Sequence, residues 1–229
     1  MKYLSFLFLI AISITSCTKN EAFTGIDGGG PKPVPLKIIS KDTITTGQIW
    51  GLTIGQSSAD VYAKIQEIKT ERKVEYLSVV GNVFTSLENL AGKIPLYNEI
   101  LLDEQVGTST GLQIYFADNK VKSIFNNNGV KMSKWPASYA NTSSVSVGDN
   151  ISDVYAKLVN IKKMGTYANK FERISLFNKD FTKEYDPQMG NSRLWYLNGD
   201  ITDERYYHRE LNFSNGKLVS IYTTILENQ

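Results

Sequence analysis

Catalysis calls for nucleophiles, proton carriers or metal ligands, and in this 229-residue chain they are sparse. His208 is the one histidine, set in Tyr206-Tyr207-His208-Arg209, and Cys17 is the one cysteine. A structural or catalytic zinc site draws on several such ligands, so this chain lacks the usual set. A serine nucleophile would need His208 as its base with an acid behind it, and no Gly-x-Ser-x-Gly elbow accompanies it. Two adjacent acidic pairs, Asp103-Glu104 and Asp203-Glu204, raise the acid and base chemistry of glycoside hydrolysis. Each pair sits in a stretch that reads as a loop before a hairpin, where solvated charge is the expectation. Calcium would need more oxygen ligands than either pair offers. The expectation is a noncatalytic chain with no cofactor and no metal.

Aromatic residues are the better candidates for recognition. Tyr185, Trp195, Tyr196, Tyr206 and Tyr207 crowd one strand-rich stretch. Successive side chains on a strand point to opposite faces, so one of Trp195 and Tyr196, and one of Tyr206 and Tyr207, should face away from the core. Trp195, Tyr196, Tyr206 and Tyr207 are therefore the candidate binding surface, since exposed aromatics suit protein, peptide or sugar.

Cys17 gains meaning from what precedes it. Lys2 is followed by an uncharged run, Tyr3 to Ile14, and then by the small residues Thr15 and Ser16. This is the layout of an export signal, and the run is shorter than the ~20 residues of a membrane span. Ile14-Thr15-Ser16-Cys17 resembles a lipobox, which implies residues 1–16 as a lipoprotein signal peptide and lipidation at Cys17. A lone cysteine forms no internal disulfide, and acylation gives it a use. Several acyl chains hold a protein firmly to a membrane where one is marginal. The expected location is the cell envelope, lipid-anchored, at the outer membrane. Residues 17–36 are rich in Gly, Pro and Lys, with Gly28-Gly29-Gly30-Pro31 at their centre, and read as a flexible tether. No Lys-Ser/Thr pair follows the glycines to make a phosphate cradle. With 25 basic and 23 acidic residues the chain carries no nucleic-acid footprint.

The elements that must position these residues come in pairs. Asp60-Val61-Tyr62-Ala63-Lys64 recurs as Asp153-Val154-Tyr155-Ala156-Lys157, each led by a glycine, Gly55 and Gly148, at a common offset of 93. Leu112 to Ile124 is echoed by Glu210 to Ile221, with Phe116 matching Phe213 at an offset of 97. A period near 95 exceeds that of a solenoid and implies duplication of a small unit, residues 37–135 and 136–229. In each copy Ser57 with Asp60, or Asn150 with Asp153, offers an N-cap. An apolar stripe follows, Val61-Ile65-Ile68 and Val154-Leu158-Ile161. Leu112, Ile114 and Phe116 alternate with Gln113 and Tyr115, turn at Asp118-Asn119 and resume at Val121; Asn215-Gly216 is the corresponding turn of copy two. Val79 to Phe84, Phe171 to Phe177, Leu96 to Leu102 and Leu194 to Leu197 read as further strands. The expected fold is α+β: two tandem copies of a helix-then-antiparallel-sheet unit, forming one body.

The openings Leu52 to Tyr62 and Val145 to Tyr155, with the closing hairpins, resemble envelope lipoproteins of the SmpA/OmlA (BamE-like) type and the two halves of beta-lactamase inhibitory protein. That resemblance implies a binding scaffold without catalysis. The cysteine-poor, Tyr- and Asn-rich style is similar to Bacteroidetes envelope proteins, and Asp42-Thr43-Ile44 resembles their O-glycosylation acceptor. The functional expectation is a lipoprotein bound to the membrane through its N-terminal lipid, with an envelope protein partner. The alternative is a small-ligand or glycan receptor using the aromatic surface.

Overall fold

A computed structural model describes residues 36–228; Cys17, the signal segment and most of the tether lie outside them. The described residues open with β1 (Leu36–Ile44), the short ribbon β2 (Gln48–Ile49) and β3 (Leu52–Thr53), and helix α1 (Ser58–Ile68). β4 (Val74–Val80), β5 (Val83–Phe84) and β6 (Glu99–Asp103) follow. Next come the hairpin β7 (Leu112–Ala117) and β8 (Lys120–Asn126), and the short β9 (Lys131–Met132), β10 (Lys134–Trp135) and β11 (Val145–Ser146). Helix α2 (Ile151–Lys163) leads to β12 (Arg173–Leu176), β13 (Asn178–Lys179), β14 (Leu194–Asp200), β15 (Arg205–Ser214) and β16 (Lys217–Asn228).

The expected pair of tandem helix-then-sheet units is not what forms. The described residues are mostly β, with 44% in strands against 22% helical and only two α-helices among them. The two six-stranded sheets each mix strands from both halves of the sequence, in the orders β1-β16-β15-β14-β4-β13 and β5-β12-β6-β7-β8-β9. The physical reason lies at Gly81, whose φ of +76° bends the chain between β4 and β5. The apolar run Val79 to Phe84, expected as one strand, is thereby split between the two sheets. Residues 173–179 cross the same seam. β12 pairs with β6 and β5, while β13 pairs with β4. Phe177 at the crossing accepts from the Val79 amide at 2.8 Å and donates its own amide to the Glu99 carbonyl at 3.1 Å.

Each helix start is docked on the hairpin of the other half. Ser58 N donates to Gly216 O (2.9 Å) and Gly55 N to Leu218 O (2.7 Å). In the same manner Ile151 N donates to Asn119 O (2.9 Å) and Gly148 N to Val121 O (2.8 Å). The first amides of a helix have no partner within the helix, and carbonyls at a hairpin turn supply one. Both turns have their residues at positive φ, Asp118 and Asn119 at 53° and 58°, Asn215 and Gly216 at 51° and 70°, as the sequence expects. The caps differ, however. Ser57 accepts from Asp60 N, whereas Asn150 makes no side-chain cap. Val61 and Ile65 of α1 and Val154, Leu158 and Ile161 of α2 join one continuous buried cluster with the inward residues of both sheets.

Candidate functional site

Strand alternation sorts the aromatic residues. In β14 the side chains of Trp195 and Leu197 point inward and those of Tyr196 and Asn198 outward; in β15 Tyr207 and Arg209 are buried and Tyr206, His208 and Glu210 only partly covered. Two of the four candidate surface residues are thus core residues. Trp195 is fully buried, its ring 4.5 Å from that of Phe213 and its Nε1 donating to Met189 O. Tyr207 packs edge-on against Trp50 at 4.9 Å and donates to Arg72 O at 3.1 Å. It lies opposite Gly199, where an added Cβ would meet the Tyr207 hydroxyl at 2.4 Å. The absence of a side chain at Gly199 is what admits the tyrosine to the core.

Tyr196 and Tyr206 keep to the outer face, and there Tyr196 belongs to a larger constellation. Register places Tyr196 beside Ser78 and Asn198 beside both Tyr76 and His208. Across the seam, Asn178 stands beside Ser78, and Glu99 beside Tyr115. A hydrogen-bonded chain joins the two sheets: Ser78 Oγ donates to Asn178 Oδ1 at 2.6 Å, and Asn178 Nδ2 donates to Glu99 Oε2 at 2.8 Å. The residues line an open depression of about 350 Å³, bounded by Tyr76, Tyr115, Phe177, Tyr196, Asn198 and His208. Tyr76 is 43% exposed.

The electrostatics of this depression are simple. Glu99 is 6% exposed, and burial raises its pKa; the neighbouring Tyr115 hydroxyl donates to Gln113 Oε1 at 2.9 Å. The Tyr115 phenol is pushed up to about 12, first by burial and then by the Glu99 charge. His208 stacks on Tyr196, with 4.8 Å between ring centroids, and its Nδ1 is 2.6 Å from Asn198 Oδ1. Burial lowers the His208 pKa against the pull of Glu210, so the imidazole is neutral near pH 7.

Tyr115 was legible as an outward residue, because it alternates with Leu112, Ile114 and Phe116. Glu99 was not. It sits among apolar residues at the start of β6, and only the crossing of residues 173–179 gives it neighbours. The acidic pairs stay apart, Asp103 in β6 and Asp203-Glu204 in the exposed β14–β15 turn. Asp103 is not solvated loop charge. It is buried and accepts from the Glu104 amide, from the Thr108 amide and hydroxyl, and from Asn127 Nδ2. Burial pushes its pKa up, but these hydrogen bonds and Lys170 outweigh that and hold it below the usual value. Thr43 is exposed on β1, its amide bonded to Asp42 Oδ1. Among the described residues no group of three His, Cys, Asp or Glu side chains is placed to hold a metal. Comparison with family models, with curated proteins and with solved structures finds no match for this chain.

Proposed function

We propose that this chain is a noncatalytic, membrane-anchored binding or scaffold lipoprotein of the bacterial cell envelope, held by lipid on Cys17 and presenting the outer face of its joined sheets to a protein partner. The observation that carries the reading is the depression around Glu99. It draws Tyr76, Tyr115, Phe177 and Tyr196 from four separate stretches of sequence to one open surface, and half-exposed tyrosines are the side chains that interfaces favour. None of them is needed there to fill a core. The lipobox-like run ending at Cys17 supplies the location. A stacking site built on Trp195 and Tyr196 together is not open to a glycan, because Trp195 is buried under the sheet.

The reading is tested in the full-length chain in its native envelope. A photo-crosslinking residue at position 196 should yield one discrete adduct, lost when Tyr76 and Tyr115 are both changed to alanine. A crosslinker at Lys64, on the helix side, should not yield it. Equal adducts from both positions, or none from 196, overturn the reading. Labelled fatty acid should be incorporated by the wild-type chain and not by Cys17→Ala.

A further inference from the structure

Resting on that binding-face reading, we infer that the depression around Glu99 takes a cationic side chain, lysine or arginine, of the protein partner. Glu99 is the only acidic side chain among the lining residues, and no lysine or arginine is among them. No ion pair is made by Glu99 among the described residues. Among the described residues its one side-chain hydrogen bond is the 2.8 Å contact from Asn178, a neutral donor that leaves most of the acceptor capacity of a carboxylate unused. A carboxylate taken out of water without a countercharge is costly. An incoming cation relieves that cost, so the gain on binding is larger than for a surface carboxylate already solvated.

The walls favour the same occupant. Tyr76, Tyr115, Phe177 and Tyr196 line the depression together with Glu99, and the faces of such rings attract ammonium and guanidinium groups. The one imidazole of the lining, His208, has its neutral form favoured by burial, so it adds little positive charge to compete with a cation. A second acid, Glu210, stands opposite Tyr196 and adds attraction for a positive group. An anionic or purely apolar side chain would meet an uncompensated carboxylate instead.

The test uses the full-length protein in nonionic detergent micelles with two probe peptides, acetyl-Gly-Arg-Gly-amide and its citrulline counterpart, which keeps the shape and removes the charge. Binding is followed by the ring resonances of isotope-labelled tyrosine. The arginine peptide should shift the Tyr76, Tyr115 and Tyr196 signals saturably, and citrulline should bind about tenfold more weakly or less, the loss expected for one charged hydrogen-bonded contact. Glu99→Gln, which retains an acceptor for Asn178, should lose the same factor. Equal binding of the two peptides to the wild-type chain overturns the inference, whatever the fold of the variant. Should the 196 crosslink then persist at full yield, the binding-face reading stands without it. Discrimination between the peptides with no crosslink from 196 does the reverse: it supports the cation pocket and overturns the protein-partner reading.

Discussion

The guanidinium carbon of Arg209 lies 3.3 Å from the centroid of the Trp50 ring, buried and with no carboxylate partner among the described residues. Its Nε donates to Thr223 Oγ1, its Nη1 has no partner, and burial lowers its pKa to about 10. Arg72 approaches the same indole at 5.2 Å. Trp50 itself sits in the β2–β3 turn at φ 58°, a conformation bulky residues avoid. Stacking on Arg209 and the edge of Tyr207 hold it there.

This arrangement predicts unequal costs. Trp50→Ala strips a buried cation of the ring that replaces its solvent, and should destabilise by about 3 kcal/mol. Arg209→Met removes the cation together with its desolvation cost, and should change stability by less than about 1 kcal/mol. The double variant should then be at least ~1 kcal/mol more stable than the sum of the singles. Urea unfolding of all four proteins measures it, and strict additivity would refute the stacking account.

Asp103 predicts a pH dependence. A carboxylate whose folded pKa is depressed stabilises the fold fully above its unfolded value, ~3.9, and that stability is lost as pH falls through the folded value. Asp103→Ala leaves the Thr108 amide and Asn127 without an acceptor and should cost about 2 kcal/mol at pH 7. The gap to wild type should stay constant down to about pH 4.5 and narrow below pH 4. Denaturant midpoints at pH 7, 5 and 3.5 decide it, and a gap independent of pH would remove Asp103 from the role.

What was legible in the sequence was local. The period-two pattern of Leu112, Ile114 and Phe116, the positive-φ turns at Asp118-Asn119 and Asn215-Gly216, and the two helix stripes are written in neighbouring residues, and all are present. The pairing of strands across the molecule is not local. Gly81 divides one apolar run between two sheets, and residues 173–179 serve both, so the expected separate units are replaced by a shared seam. The site suffers for the same reason. Alternation says that one of Trp195 and Tyr196 is inward, but only the register against β4 and β15 makes it Trp195. Glu99 acquires Asn178 and Ser78 as neighbours through that seam alone.

The two helix starts test how far matching sequence gives matching energetics. Ser57 caps α1 through a bond from the Asp60 amide at 3.2 Å, while Asn150 leaves the α2 amides to the Asn119 carbonyl and the local turn. Ser57→Ala should cost about 1 kcal/mol and Asn150→Ala well under half of that. Thermal unfolding distinguishes them. Equal losses would mean that the Asn150 side chain, and not the hairpin, secures the second helix.

Trp195 and Tyr196 are adjacent in sequence and should separate completely in effect. Trp195→Ala empties a fully buried site beside Phe213 and removes the bond to Met189 O, for which losses of about 3–5 kcal/mol are typical. Tyr196→Ala removes a half-buried ring stacked on His208, and should cost no more than about 1 kcal/mol. Binding should respond in the opposite order. Tyr196→Ala should abolish or weaken by at least about tenfold the tyrosine-signal response to acetyl-Gly-Arg-Gly-amide, because it removes one wall around Glu99. A conservative Trp195→Phe, which keeps the core filled, should leave that response intact. Calorimetric unfolding and peptide titration on the same samples give both quantities. If Trp195→Phe loses the response while Tyr196→Ala retains it, the recognition surface lies on the helix side of the sheet and the outer face has been misassigned.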